Sequence, residues 1–207
     1  MSISELLPIL AAGFLVAASP GPATLLIAGT SMNAGRRAGL ATASGVATGS
    51  LLWSATAAFG LGALMQAHAW SMEAARYGGA AYLLYLALKS ARAAGSREAS
   101  VLPGDPSRGT RRAFVKGLAL HLANPKPILF FGALFSVGMP VDASIVDLAV
   151  VVLALALQCA LIFLGYALIF STESAVSIYG RLGRWFETAF AILFGAAGLR
   201  VLLARPD

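Results

Sequence analysis

The chain has 207 residues, 58% of them hydrophobic and 12% charged, with a mean hydropathy of +0.80. A soluble domain carries roughly 25% charged residues, so an ordinary globular protein is excluded and a chain that crosses a membrane several times is indicated. The formal net charge of +6 does not point to a nucleic-acid partner. The basic residues bracket apolar runs, no soluble domain is left to carry a docking face, and topology plus contact with anionic lipid accounts for them.

The first apolar run extends from about Leu6 to Ser31. No basic segment precedes it, and it outlasts the 7–15-residue core of a signal peptide, so it reads as a retained span. Ser19-Pro20-Gly21-Pro22 interrupts it. The expected structure is a helix restarting inside the span, with Ser19 as its cap and the prolines at the first and third helical positions, where a missing N–H breaks no hydrogen bond. The N–H groups of Gly21 and Ala23 would then remain free at a positive helix end, which attracts an anion. Thr24 and Ser31 add hydroxyls that are expected to bond back to their own helix.

Gly35-Arg36-Arg37-Ala38-Gly39 reads as a turn into a second span, about Leu40 to Met65. Within it, Gly45-x-x-x-Gly49 is suited to close helix packing. The third run, about Ala74 to Leu88, is the weakest, with Glu73 and Arg76 at its start and Lys89 at its end. Its small-and-aromatic stretch from Tyr77 to Leu86 favours a sixth crossing over the alternative of five spans with this segment in the interface. Residues 93–110, rich in Gly, Ser, Pro and mixed charges, read as a mobile cytoplasmic linker.

The fourth run, about Ala113 to Phe135, is interrupted by Asn124-Pro125-Lys126-Pro127. The expected geometry is the same: Asn124 as cap, Pro125 and Pro127 at the first and third positions, and the N–H groups of Lys126 and Ile128 free. Lys126 is the one basic residue deep inside a span. An intramembrane charge costs at least ~2.5–3.5 kcal/mol, so it is a candidate carboxylate ligand, with snorkelling or pairing to a carbonyl upstream of Asn124 as the alternative. His121, one turn earlier, and Gln158, in a fifth span of about Ile145 to Phe170, could line the same cavity. Cys159 is the single cysteine, so a disulfide or thiol relay within the chain is excluded and a packing role is expected. The sixth run is about Trp185 to Leu203.

Pro20 and Pro125 lie about half the chain apart, and Gly13 and Gly117 keep nearly the same offset upstream of them. Three spans per half invert the second half relative to the first. The expected fold is therefore an all-α polytopic membrane protein of six transmembrane helices, arranged as two inverted three-helix repeats with helices one and four broken. One domain would cover 1–207, with repeat one at about 1–92, the linker at 93–110 and repeat two at 111–207. Arg36, Arg37, the basic residues from Lys89 to Lys116, and Arg181 and Arg184 fall on one side. The positive-inside rule makes that side cytoplasmic and places both termini outside.

Ser19-Pro20-Gly21-Pro22, the Gly35 to Gly39 turn, Gly45 and Gly49, the Gly78 to Leu88 run and Asn124-Pro125-Lys126-Pro127-Ile128-Leu129-Phe130-Phe131 together resemble the LysE/RhtB family of amino-acid exporters. The resemblance covers nearly the whole chain. It implies efflux of amino acids or related metabolites across the bacterial inner membrane, driven by the proton motive force, with no bound cofactor. The residues support such chemistry separately, since a zwitterion needs a cationic or helix-end partner for its carboxylate. Ser19, Gly21, Asn124 and Lys126 are the candidate substrate ligands, with Pro20, Pro22, Thr24, His121, Pro125 and Gln158 as candidate cavity walls. No Asp or Glu lies well inside a span, which leaves Lys126 as a candidate proton carrier. An enzyme would need an acid cluster or a nucleophile–base pair in the spans. A metal-ion exporter would need several ligands where the chain has two histidines in all, and it stays as one alternative, a non-transport assembly protein as the other. Six short spans also leave lipid-facing surface compatible with a homodimer.

Overall fold

In a computed structural model, the described residues are 2–67, 109–140 and 143–172, with scattered helical positions between 77 and 95 and between 185 and 203. They form α1 (Ile3–Ala18), α2 (Pro22–Ala67), α3 (Thr110–Ala123), α4 (Pro125–Gly138) and α5 (Ile145–Ile169). No strand occurs among the described residues. The expected third and sixth spans and the 93–110 linker lie largely outside the described residues.

The uninterrupted α5 shows why these helices suit a membrane. Val151, Val152, Leu155, Cys159, Phe163 and Ala167 form its buried stripe. The opposite face, Val146, Val150, Leu153, Leu157 and Leu161, is equally apolar yet exposed. A helix hydrophobic all round is buried in a core or in lipid. Its start is fixed by Ser144 and Asp147, whose side chains each accept the other's backbone N–H, at 3.2 and 3.1 Å, a reciprocal cap of two orphan donors. Among the described residues, α5 is the one helix that by length and composition can cross a membrane, and each of two bent pairs can serve as one broken span.

Those pairs are the two interruptions read from the sequence. The segment Ile3–Ala18 meets Pro22–Gly60 at 53°, and Thr110–Ala123 meets Lys126–Ser136 at 57°. Within α2 the only non-helical residue is Gly35, at φ 82° and ψ 172°, a region essentially restricted to glycine. There the chain turns back, because a Cβ on Gly39 would lie 3.0 Å from Ser31 Cα, far closer than residues eight apart along one helix. The expected turn between spans one and two is therefore present.

Association of helices in lipid depends on close packing more than on hydrophobicity, and the glycines supply it. A Cβ on Gly45 would come within 2.1 Å of the Phe114 carbonyl oxygen, and one on Gly117 within 2.3 Å of the Thr42 carbonyl oxygen. The backbones of α2 and α3 thus touch at this crossing. Gly49 meets the His121 ring, and Gly13 of α1 meets Leu155 and Gln158 of α5. Around these crossings Ile9, Ile27, Val46, Phe131, Val151, Leu155 and Phe163 form one apolar core.

Candidate functional site at the two helix breaks

The first break differs from the expected cap. Ser19 is extended (φ −72°, ψ 141°) and closes α1, its N–H bonding to the Leu15 carbonyl at 3.0 Å and its hydroxyl donating to Val16 at 2.9 Å. The helix restarts only at Pro22, with the Leu25 N–H on the Gly21 carbonyl at 2.9 Å. Ser19 is thus the end of one helix and not the cap of the next. The reason is steric: a residue before proline is pushed out of the α region, and both Ser19 and Gly21 precede prolines. Gly21 caps the restart together with Thr24, whose hydroxyl accepts the Gly21 N–H at 2.8 Å and donates to the Gly21 carbonyl at 2.9 Å. The Ser31 hydroxyl bonds back to Ile27 at 2.8 Å, as expected.

The second break follows the expected geometry. Asn124 is extended (φ −82°, ψ 121°), and its side chain accepts the Lys126 N–H at 3.0 Å. That bond holds Lys126 helical although it too precedes a proline. Of the four backbone donors expected to stay free, two are therefore occupied locally, Gly21 by Thr24 and Lys126 by Asn124.

The two breaks meet through the Lys126 side chain. Its ammonium donates to the Ser19 carbonyl at 3.2 Å and to the Ser19 hydroxyl. The carbonyl it reaches here is at the other break. Lys126 stands in the first turn of α4, where a positive helix end opposes it, and reaches the C-terminal end of α1, where the helix dipole favours a cation. Gly21 leaves room for it, since a Cβ there would touch Nζ at 3.5 Å. Tyr166 of α5 braces the same helix end by donating its hydroxyl to the Ala18 carbonyl at 2.7 Å.

A cavity of about 40 Å³ lies at this junction, walled by Ser19, Gly21, Thr24, His121, Asn124 and Lys126 and by the rings of Phe130, Phe131 and Phe163. At 10–15 Å³ for each probe-sized water, it holds roughly three waters. Ser19 and Asn124 are 2% and 8% exposed. The cavity walls, as described, include no carboxylate.

Of the other candidate walls, Pro20, Pro22 and Gln158 stand outside this lining, and the side chain of Pro125 lies outside the described residues. Gln158 instead donates to the Leu10 carbonyl at 3.0 Å. Cys159 is buried, as expected, and forms part of the wall. The residue that the sequence reading passed over is Ser50, whose hydroxyl lies 3.0 Å from His121 Nε2. Its place beside Gly49 in the close-packing stripe was the available signal.

A profile described as LysE type translocator matches residues 14–205. The chain belongs to this family. As a LysE type translocator it is a membrane transport protein, and both breaks fall inside the matched region. Relatives include the Threonine efflux protein of Escherichia coli (strain K12), 26% identical over 189 residues that cover 90% of this chain and 92% of that protein. The Homoserine/homoserine lactone efflux protein of Salmonella typhimurium is 29% identical over 192 residues, 92% of each chain. An uncharacterized membrane protein of Escherichia coli (strain K12) reaches 32% identity over 188 residues, 89% of this translocator and 82% of that protein. No solved structure matches the chain significantly.

Proposed function

We propose that this translocator is a secondary active exporter of amino acids or related small metabolites across the bacterial inner membrane, coupled to the proton motive force and working by alternating access. The observation that carries the reading is the bridge from Lys126 Nζ to the Ser19 carbonyl and hydroxyl, which places a cation and two helix ends at one buried cavity. Lys126 receives the substrate carboxylate after leaving Ser19, Ser19 offers its hydroxyl and carbonyl, Gly21 permits close approach, and Asn124 holds the lysine's backbone in place. The names of the threonine and homoserine efflux relatives support a small amino-acid substrate.

The six-helix inverted repeat belongs to the same reading. It is supported by a reciprocal pattern: Gly13, upstream of the first break, packs on α5, whereas Gly117, upstream of the second, packs on α2. Each broken helix thus crosses the unbroken segment that comes after the other broken one, Gly13 against α5 and Gly117 against α2 beyond the Gly35 turn, a pattern that fits a two-fold relation between halves.

The test is counterflow in vesicles containing purified protein, loaded in turn with a panel of unlabelled amino acids, beside Lys126→Ala. Accumulation of label driven by one group of substrates and reduced at least tenfold in the variant is expected. Full exchange by Lys126→Ala would remove Lys126 from the site. Silence of folded, inserted wild type across the panel would refute amino-acid export.

A further inference from the structure

His121 is only 4% exposed and lines the cavity with Lys126, yet it takes no part in the bridge between the breaks. Its ring is held on three sides. Nε2 lies 3.0 Å from Ser50 Oγ, a Cβ on Gly49 would sit 3.0 Å from Cδ2, and Phe163 packs edge-on with centroids 6.0 Å apart at 70°. The Ser50 hydroxyl has one hydrogen and donates it to the Val46 carbonyl at 3.3 Å, the usual back-bond of a helical serine. With its hydrogen so placed, the oxygen accepts toward the ring, one of the two tautomeric arrangements that this contact permits. That assignment puts the ring proton on Nε2 and leaves a bare lone pair on Nδ1. Nδ1 is buried and has no hydrogen-bond partner within the protein, which leaves it to water or to a ligand that enters the site.

We infer that Nδ1 of His121 is a binding site for which a proton and the substrate's ammonium group compete. The inference rests on the exporter reading above and supplies its coupling residue. The neutral ring accepts a hydrogen bond from the ammonium while Lys126 takes the carboxylate. When Nδ1 takes a proton from water on the open side, the ring becomes a cation with N–H groups at both nitrogens, offers no lone pair and repels the ammonium. The proton leaves to water on the opposite side, and no bond in the substrate changes. Because each occupant excludes the other, proton and substrate move in opposite directions.

The groups around the ring leave the role to His121. α2 presents Gly49 and Ser50, neither ionisable, and α5 presents Phe163, with the Cys159 thiol in the same cavity wall. Lys126 of α4 is the charged group that acts on the ring among the described residues. On α3 itself the nearest charge is Lys116, more than a turn away.

Counterflow by wild type over a pH series tests the idea. The apparent substrate affinity is expected to fall, as pH drops, toward about tenfold per pH unit, the limit for one displaced proton. In His121→Gln an amide oxygen can still accept but cannot titrate, so exchange should continue at a reduced rate with an affinity that no longer varies with pH. A pH-independent wild type, or a glutamine variant with the wild-type pH response, would overturn the proposal and leave the exporter reading standing. Failure of wild type to exchange at any pH would overturn the exporter reading itself. A second measurement needs no substrate. The chain has two histidines, so ¹⁵N spectra of His68→Gln protein report His121 alone; a bare Nδ1 and a protonated Nε2 are expected, and the opposite tautomer would refute the assignment.

Discussion

Replacing Gly45 or Gly117 by alanine tests the crossing that sets the site. A Cβ on Gly45 would lie 2.1 Å from the Phe114 carbonyl oxygen and 2.9 Å from the Leu118 nitrogen, and one on Gly117 would lie 2.3 Å from the Thr42 carbonyl oxygen. Carbon and oxygen normally approach to about 3.3–3.6 Å, so each change forces the two helices apart by roughly 1 Å. Backbone cannot rotate away as a side chain can, which places the overpacking cost in the upper part of its range, about 2–3 kcal/mol. Alanine recovers up to about 1 kcal/mol over glycine in a helix. The net loss is then about 1–2 kcal/mol for each substitution. One separation relieves both clashes, so the double variant should cost at least about 0.5 kcal/mol less than the sum. Gly165→Ala is the control, because nothing lies within 4 Å of its Cβ position, and it should be neutral or slightly stabilising. Equilibrium denaturant unfolding in detergent micelles, arranged as a double-mutant cycle, reads these differences. Gly45→Ala as stable as Gly165→Ala, or strictly additive effects of the pair, would refute the close crossing. Counterflow should slow as well, because His121 and Asn124 lie one and two turns beyond Gly117 on α3.

Asn124→Ala removes the side-chain acceptor of the Lys126 N–H and should cost about 1 kcal/mol in the same unfolding assay, with a weaker substrate affinity as Lys126 loses its fixed backbone; unchanged stability would show that the cap contributes nothing. An impermeant reagent applied to intact cells should reach a label at residue 2, as the positive-inside argument requires, and a label protected until the cells are opened would reverse the proposed orientation.

What the sequence disclosed was local chemistry. Prolines at 20, 22, 125 and 127 mark both breaks, because a missing N–H and a fixed φ act within a few residues. The Gly35 turn and the close-packing glycines were legible for the same reason. Two competing local rules met at Ser19: its side chain suits a cap, but the extended conformation imposed before proline made it the end of α1. The partner of Lys126 could not be read, since Ser19 lies 107 positions away and only the folded arrangement brings them together. Ser50 was hidden by ambiguity, since a serine bonded back to its own helix looks alike whether or not its oxygen also receives an imidazole.

The nature of that lysine's partner bears on how binding can drive a conformational change. Lys126 donates to a neutral carbonyl and a neutral hydroxyl at the end of α1. The Lys126–Ser19 bonds are already charge-assisted on the donor side, and a carboxylate adds the attraction of a full negative charge that a carbonyl or hydroxyl lacks. On the exporter reading, a substrate carboxylate therefore outcompetes Ser19 for the ammonium, and the bond lost is the one that ties the two breaks together. Binding and unclasping become one event. A ligand shifts a conformational equilibrium only by its differential affinity for the two states, and on this reading the exchange of partners at Nζ contributes to that difference. A carboxylate in place of Ser19 would hold the lysine more firmly, whereas an apolar residue would remove the hydroxyl and keep only the backbone carbonyl of this pair. Serine lies between these limits, strong enough to keep the buried charge bonded and weak enough to release it.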